Sequence, residues 1–175
     1  MSIQVACAQD DIKTITSDVR ITHGEQWRYF KGVEKPPRYW TQSGYDASSW
    51  SYGMTGLGYG SSLIKTSLND MKGNYATIYA RHEFLIKNIY IVTGMSLSVV
   101  CDGPFKAYIN GVEVISNNAI NNFSAEELDI SGFIHELLPG MNVLAIECTN
   151  DDIKSNDFTF IPYFDVFEYQ GGKAQ

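Results

Sequence analysis

Apolar and polar residues alternate along much of the chain with a period of two, the pattern of a β-strand with one buried face. The clearest example covers residues 75–86. Its apolar face carries Ala76, Ile78, Ala80, Phe84 and Ile86. Its other face carries Tyr75, Thr77, Tyr79, Arg81 and Glu83. We expect the apolar face to line a core. The tyrosines and arginine of the second face are either an exposed stacking surface or packed under terminal segments, and we expect packing.

Shorter strands follow the same alternation and are separated by turn residues. They are predicted over residues 26–30, 97–101, 105–109, 112–115, 143–149 and 157–169. Asn110-Gly111 joins two of them and favours a tight β-hairpin, because both residues readily adopt positive φ angles. The sequence lacks the crossover helices that a parallel α/β fold requires. The pattern therefore predicts an all-β fold, an antiparallel β-sandwich.

One segment changes from a strand period to a helical one. Ser124-x-x-Glu127 has the form of a capping sequence, and Ile130, Phe133, Ile134, Leu137 and Leu138 follow at helical spacing before Pro139-Gly140. We expect one short helix there. The predicted organisation is a leader or edge segment over residues 1–25, a sandwich domain over 26–169 and a flexible tail over 170–175.

A long irregular segment follows Lys35-Pro36-Pro37, where the prolines remove two backbone donors and prevent regular pairing. Residues 38–73 are rich in glycine, serine and aromatic residues and fit neither one helix nor one strand. Long loops in compact domains often carry function. This segment is therefore the first place to search for a binding site.

Charge and hydropathy narrow the range of partners. The 175 residues include 20 acidic and 13 basic side chains, for a net charge of −7, which disfavours a nucleic acid or an anionic membrane as partner. No apolar run is long enough to span a bilayer, and the N-terminus lacks a basic segment followed by an apolar one. We expect neither a transmembrane helix nor a signal peptide within this sequence.

The three cysteines, Cys7, Cys101 and Cys148, lack the spacing of a zinc site and are too few for a disulfide framework. A single bridge between Cys101 and Cys148 stays open if their strands are neighbours. The alternative is a set of buried free cysteines.

Several motifs occur in an order that is known from other proteins. They include Trp27-Arg-Tyr29, Asp46-Ala-Ser-Ser-Trp50 and Tyr79-Ala-Arg81, and above all the Tyr108-Ile-Asn-Gly111 hairpin followed by Pro139-Gly-x-Asn-Val-Leu-Ala-Ile146. In this order the sequence resembles the galactose-binding-domain-like jelly-roll family, found in carbohydrate-binding modules and in sugar-binding domains of glycoside hydrolases. The resemblance covers about residues 26–168. Within it, Trp27, Trp50 and Tyr59 are expected in the core.

The resemblance implies a non-catalytic carbohydrate-binding module that targets a larger secreted or cell-surface protein to a glycan. Sugar sites pair a flat aromatic surface with planar hydrogen-bonding groups. We expect Tyr39, Trp40 and Tyr45 to supply the aromatic surface and Asn150, Asp151 and Asn156 to supply polar contacts. For all of these, packing within a loop or simple solvation is the competing interpretation.

A structural calcium ion is the one cofactor that the resemblance suggests, since many sandwiches of this kind hold one. Asp46, Asp152 and Asp157 are candidate ligands because Ca²⁺ prefers oxygen donors. No EF-hand spacing is present, and ordinary loop aspartates are the alternative.

Catalytic motifs are weak throughout the sequence. His23, His82 and His135 are far apart in sequence, and His82 falls on the apolar face of its strand, as a core histidine would. Gly56-x-Gly-x-Gly60 lacks the flanking strand and helix of a phosphate loop and is predicted to be a turn. We therefore expect no enzyme activity. The alternative function is a structural or protein-interaction sandwich in a larger protein, because fold alone does not determine function.

Overall fold

The computed structural model describes residues 15–118 and 126–169, which form two packed β-sheets. In the first sheet the strand order is β10 (Leu128–Asp129), β7 (Val92–Cys101), β12 (Phe158–Tyr169), β4 (Leu57–Tyr59) and β5 (Thr66–Ser67), with β1 (Ile15–Ile21) also paired to β12. In the second the order is β3 (Ser51–Met54), β2 (Gln26–Lys31), β6 (Thr77–Ile86), β11 (Gly140–Thr149), β8 (Phe105–Ile109) and β9 (Val112–Asn117). Of the pairings among described residues, only β4 with β5 is parallel. The predicted all-β sandwich is confirmed.

The core lies between the sheets, where the predicted inward-facing residues meet. Trp27 of β2 packs edge-on against Phe160 of β12, with ring centroids 5.8 Å apart. Phe84 of β6 meets Phe164 of β12 at 5.1 Å. All four side chains are buried, as the alternation predicted for the three phenylalanines and the resemblance implied for Trp27. Ala76 is only half-buried, because it precedes β6, which begins at Thr77.

A disulfide joins Cys101 at the end of β7 to Cys148 near the end of β11. The bridge that the sequence left open is therefore present, but it crosses the core between the two sheets. Its two strands belong to different sheets, so the condition that the sequence analysis set, neighbouring strands, is not the way in which the bridge forms. Both cysteines are fully buried.

One turn has the predicted local structure, whereas the predicted helix and the glycine-rich segment 56–60 differ from theirs. Asn110 and Gly111 have φ angles of 50° and 97° and form the predicted β8–β9 hairpin. The predicted helix is a 3₁₀ helix, Ser131–Glu136, whose flanking residues Ile130 and Leu137 are buried. Its predicted cap, Ser124, and the tail 170–175 lie outside the described residues.

The glycine-rich segment 56–60 contains strand β4, which replaces the predicted turn. Gly58 has a φ of 149°, and a Cβ atom there would lie 1.8 Å from the carbonyl oxygen of Phe158. Only glycine permits this close pairing with β12.

Segment 38–50 lies across the outer face of the second sheet and builds a third layer, the outer aromatic layer. Trp40 stacks on Trp50 with centroids 6.0 Å apart and makes edge contacts to Tyr79 at 5.2 Å and Tyr108 at 5.9 Å. Trp50 also contacts Phe30 and Tyr45. Of the tyrosines expected on the outer face of β6, Tyr79 is buried under this layer and not under a terminal segment, whereas Tyr75 precedes β6 and is buried in the core. No helix among the described residues has the length and apolarity needed to cross a membrane.

Candidate ligand-binding cleft

A cleft of about 460 Å³ opens beside the outer aromatic layer, where β2, β3 and β6 meet residues 43–48. This volume lies within the range of small-molecule sites. The walls combine tyrosine rings with charged and amide side chains, among them Gln26, Arg28, Tyr45, Asp46, Tyr52, Arg81, His82 and Glu83. The cleft thus places aromatic surface beside planar hydrogen-bonding groups.

Arg28 of β2 and Arg81 of β6 are direct partners in the antiparallel register, so both project from the outer face. The Arg28 guanidinium lies 3.7 Å from the centroid of the Tyr52 ring. Its Nη1 donates to the carbonyl oxygens of Ser48 and Trp50, each at 3.1 Å. One nitrogen and one face of this guanidinium are therefore held by the protein.

Arg81 holds the loop that forms the opposite wall. Its side chain is buried, and its Nη1 donates to the carbonyl oxygens of Trp40 and of Gln42, the latter at 3.0 Å. Its Nη2 donates to the carbonyl oxygen of Tyr45 at 3.4 Å. Burial lowers the pKa of Arg81, and the nearby Glu83 carboxylate opposes that shift. Arg81 thus anchors the loop backbone from beneath the cleft.

Asp46 contributes a carboxylate to the cleft. One of its oxygens, Oδ1, accepts a hydrogen bond from the backbone N–H of Ser48 at 2.8 Å. The Ser48 backbone and hydroxyl, and more weakly the Arg28 charge, lower the pKa of Asp46. Asp46 is therefore a fixed, ionised hydrogen-bond acceptor at neutral pH.

His82 lies between the cleft and the core. Its Nδ1 is 2.9 Å from the carbonyl oxygen of Gln26, and its ring packs on Trp27 with centroids 5.2 Å apart. Burial lowers the pKa of His82, and the Gln26 contact and two glutamates partly oppose that shift. His82 is therefore neutral at pH 7, which fits the core histidine predicted from the alternation.

The three aromatic residues predicted from the loop do not form one shared surface. Tyr39 is exposed, has a φ of 71° and contacts Arg38. Trp40 belongs to the outer aromatic layer and does not line the cleft. Tyr45 alone of the three lines the cleft, with its ring beneath the Arg81 guanidinium at 5.3 Å.

The second predicted group lies elsewhere, in the loop between β11 and β12. Asn150 is buried and ties the loop to β4, because its Nδ2 donates to the Asp157 carbonyl at 3.0 Å and to the Tyr59 hydroxyl at 3.4 Å. Asn156 is exposed and its Oδ1 accepts a hydrogen bond from Lys72. Asp151 is exposed on the same loop. None of these residues lines the cleft.

The candidate calcium ligands are also separated. Asp46 lies in the cleft, whereas Asp152 accepts a hydrogen bond from Lys154 N–H and Asp157 from the Ser155 hydroxyl. Within residues 15–118 and 126–169, no three His, Cys, Asp or Glu side chains gather as a metal site. The predicted calcium site finds no support in this arrangement.

The sequence reasoning did not assign Arg28, Tyr52 or His82 to a binding site. Arg28 and Arg81 lie on outward positions of their strands, so period-two alternation places each on the outer face. The sequence did not predict the strand register that places Arg28 beside Arg81. It also did not predict that segment 43–48 passes over both.

A scan of protein-family models and a search of curated proteins find no match to this sequence. Solved structures do match in fold. A family 2 glycosyl hydrolase from Bacteroides cellulosilyticus aligns with a TM-score of 0.60 at 14% identity, over 84% of this chain and 20% of that one. The β-glucuronidase of Bifidobacterium dentium, solved with coumarin-3-O-glucuronide, aligns at 0.57 and 12%, over 86% and 30%. That of Ruminococcus gnavus aligns at 0.57 and 13%, over 93% and 30%.

These TM-scores establish a shared sandwich fold, and at such low sequence identities they show nothing finer. The chain spans between 20% and 30% of the length of these enzymes. The part of the resemblance that concerns fold, a sandwich domain of the kind found in glycoside hydrolases, is thereby supported.

Proposed function

We propose that this chain is a non-catalytic carbohydrate-binding domain and that its glycan site is the cleft between β2, β3, β6 and residues 43–48. The observation that carries the proposal is the composition of the cleft walls. Tyr45 and Tyr52 offer ring surface for the apolar face of a sugar, and Arg28, Asp46 and Gln26 offer planar groups for its hydroxyls. Of the residues first predicted from sequence, Tyr45 is retained in this site.

The domain would act by holding a larger protein at a glycan, which raises the effective concentration of a linked partner domain. Its fold occurs as one part of multidomain glycosidases, and this supports a role as one module among several. The Cys101–Cys148 disulfide supports an extracellular or cell-surface location, because such bridges persist in oxidising compartments.

The test is retention of the purified protein by polysaccharides in affinity electrophoresis, combined with a glycan array. An open cleft with few contacts should give dissociation constants of about micromolar to millimolar. Tyr52→Ala should abolish retention without unfolding, since this ring is 57% exposed. Tyr90→Ala is the matched control, because Tyr90 is 95% exposed and lies outside the cleft. Lack of binding to every glycan, or equal retention of the two variants, would refute the proposed site.

A second function, attachment to a neighbouring protein domain, is favoured by a different surface. Leu85 and Met141 are cross-strand partners on β6 and β11, and both are about half exposed. Leu138, in the turn before β11, is exposed to a similar degree. Exposed apolar groups of this kind often mark contacts between domains. Under this alternative, Leu85→Asp should abolish binding to the partner domain and leave glycan retention unchanged.

A further inference from the structure

We propose that the cleft selects an uncharged pyranose, with one ring hydroxyl accepting a hydrogen bond from Arg28 and a neighbouring hydroxyl donating one to Asp46. This inference rests on the proposed glycan-binding function and specifies its ligand class. It is based on which hydrogen-bond donors and acceptors of the cleft already have partners within the protein.

Arg28 retains unused donors. Its Nη1 is satisfied by two backbone carbonyls and one face of its plane is covered by Tyr52, whereas Nε and Nη2 have no hydrogen-bond partner among the described residues. The guanidinium is thus held rigidly with part of its hydrogen-bonding edge unpaired. A donor that is already ordered loses little conformational entropy when a ligand binds.

Asp46 retains an unused acceptor. Its Oδ1 accepts from Ser48, while Oδ2 has no partner among the described residues. Arg28 is close enough to lower the pKa of Asp46, yet the two side chains do not form an ion pair. Arg28 and Asp46 therefore line one cleft with a donor and an acceptor that are not bonded to each other. Two adjacent sugar hydroxyls can satisfy both, since a hydroxyl both donates and accepts.

The charge balance of the cleft points to a ligand without net charge. Arg28 and Arg81 are matched by Asp46 and Glu83, and His82 is neutral, so the lining groups sum to zero. Arg81 is buried and makes three hydrogen bonds to loop carbonyls, so burial keeps its guanidinium from a ligand carboxylate. With a chain charge of −7, a uronate would enter a net negative field, and the Asp46 carboxylate in the cleft would offset the attraction of Arg28 for the uronate carboxylate. An uncharged sugar avoids this cost.

The test is isothermal titration calorimetry of the whole chain with three matched oligosaccharide sets: neutral, uronate-containing and amino-sugar. We expect a neutral set to bind at least tenfold more tightly than its uronate counterpart, with little dependence on salt. Tighter binding of uronates or amino sugars would overturn this inference and leave the proposed function intact. Absence of binding to all three sets would overturn the proposed function itself.

Two substitutions separate the cleft from the rest of the surface. Asp46→Asn keeps an oxygen for the Ser48 N–H but replaces the free acceptor with an amide, and it should weaken neutral-sugar binding at least tenfold. Asp152→Asn is its matched control, because Asp152 makes the same kind of bond in another loop. It accepts from the N–H two residues ahead, that of Lys154, also at 2.8 Å. Arg28→Lys, which removes the planar fork, should also weaken binding, while Arg20→Lys should not. A loss with Asp152→Asn instead of Asp46→Asn would place the site in the loop after β11 and refute the inference.

Discussion

The side-chain amide of Asn110 donates a hydrogen bond to the side-chain oxygen of Asn142 over 2.7 Å. This bond joins the β8–β9 hairpin to the start of β11. Asn110 also bonds the backbone of Glu136 and Val143, and Asn142 bonds the backbone of Leu138 and Gly140. The two motifs that carried the family resemblance are therefore parts of one hydrogen-bonded junction.

Asn142→Ala should destabilise the domain by about 2–4 kcal/mol, because Asn142 is buried and its removal leaves several backbone groups without partners. Chemical denaturation followed by tryptophan fluorescence measures this loss. Asn69→Ala is the control, since Asn69 is exposed and accepts one bond, from Ser67. Equal stability of the two variants would show that the junction contributes little.

The sequence predicted this junction only in part. Alternation and the Asn110-Gly111 pair were sufficient for the strands and the hairpin, because both depend on local chemistry. The expected helix became a 3₁₀ helix, Ser131–Glu136, while Ile130 and Leu137 on either side of it are buried, so tertiary packing overrode helical periodicity. The cleft was harder to predict, since it depends on strand register and on where segment 43–48 lies relative to Arg28.

Trp40 and Tyr39 should respond in opposite ways to truncation. Trp40→Ala removes ring contacts to Trp50, Tyr79 and Tyr108 and should destabilise the domain by about 2–4 kcal/mol. Tyr39→Gly should leave stability unchanged or raise it by up to about 1 kcal/mol, because Tyr39 is exposed and its φ of 71° suits glycine. Thermal melts of the two variants measure the difference. A stable Trp40→Ala protein would argue against the outer aromatic layer.

Asp102 should make stability fall as the pH rises. Burial, with smaller contributions from the charges of Asp157 and Asp151, raises the pKa of Asp102 to about 6. The Thr159 N–H donates to the Asp102 carboxylate and opposes this rise. The folded state therefore binds this proton more tightly than the unfolded chain does, and the resulting stabilisation is lost between about pH 4 and 6. The wild type should gain about 2 kcal/mol between pH 7.5 and 4.5 relative to Asp102→Asn. Denaturant titrations at both pH values test this, and an equal pH dependence would contradict it.

The disulfide should contribute about 4 kcal/mol to stability, because Cys101 and Cys148 are 47 residues apart and the bridge restricts a long loop of the unfolded chain. Cys101→Ala/Cys148→Ala should therefore melt at a lower temperature while keeping its β spectrum by circular dichroism. Addition of a reductant should lower the melting temperature of the wild type but not that of the variant. An equal effect of reductant on both proteins would show that the shift does not come from this disulfide.

Arg81 should stabilise the loop over residues 40–48 more than it stabilises the main core. Arg81→Met keeps the buried stem but removes the donors to the Trp40, Gln42 and Tyr45 carbonyls. Loss of a buried cation also removes its desolvation cost, so the global free energy of unfolding should fall by only about 1–2 kcal/mol. The released carbonyls then turn to water, and hydrogen exchange should accelerate in residues 40–48 while β6 and β11 stay protected. Arg20→Met, which removes one exposed ion pair with Asp165, should leave exchange in residues 40–48 unchanged. Faster hydrogen exchange across both sheets would instead show that Arg81 stabilises the main core. It would also argue against the idea that Arg81 alone holds the cleft wall in place.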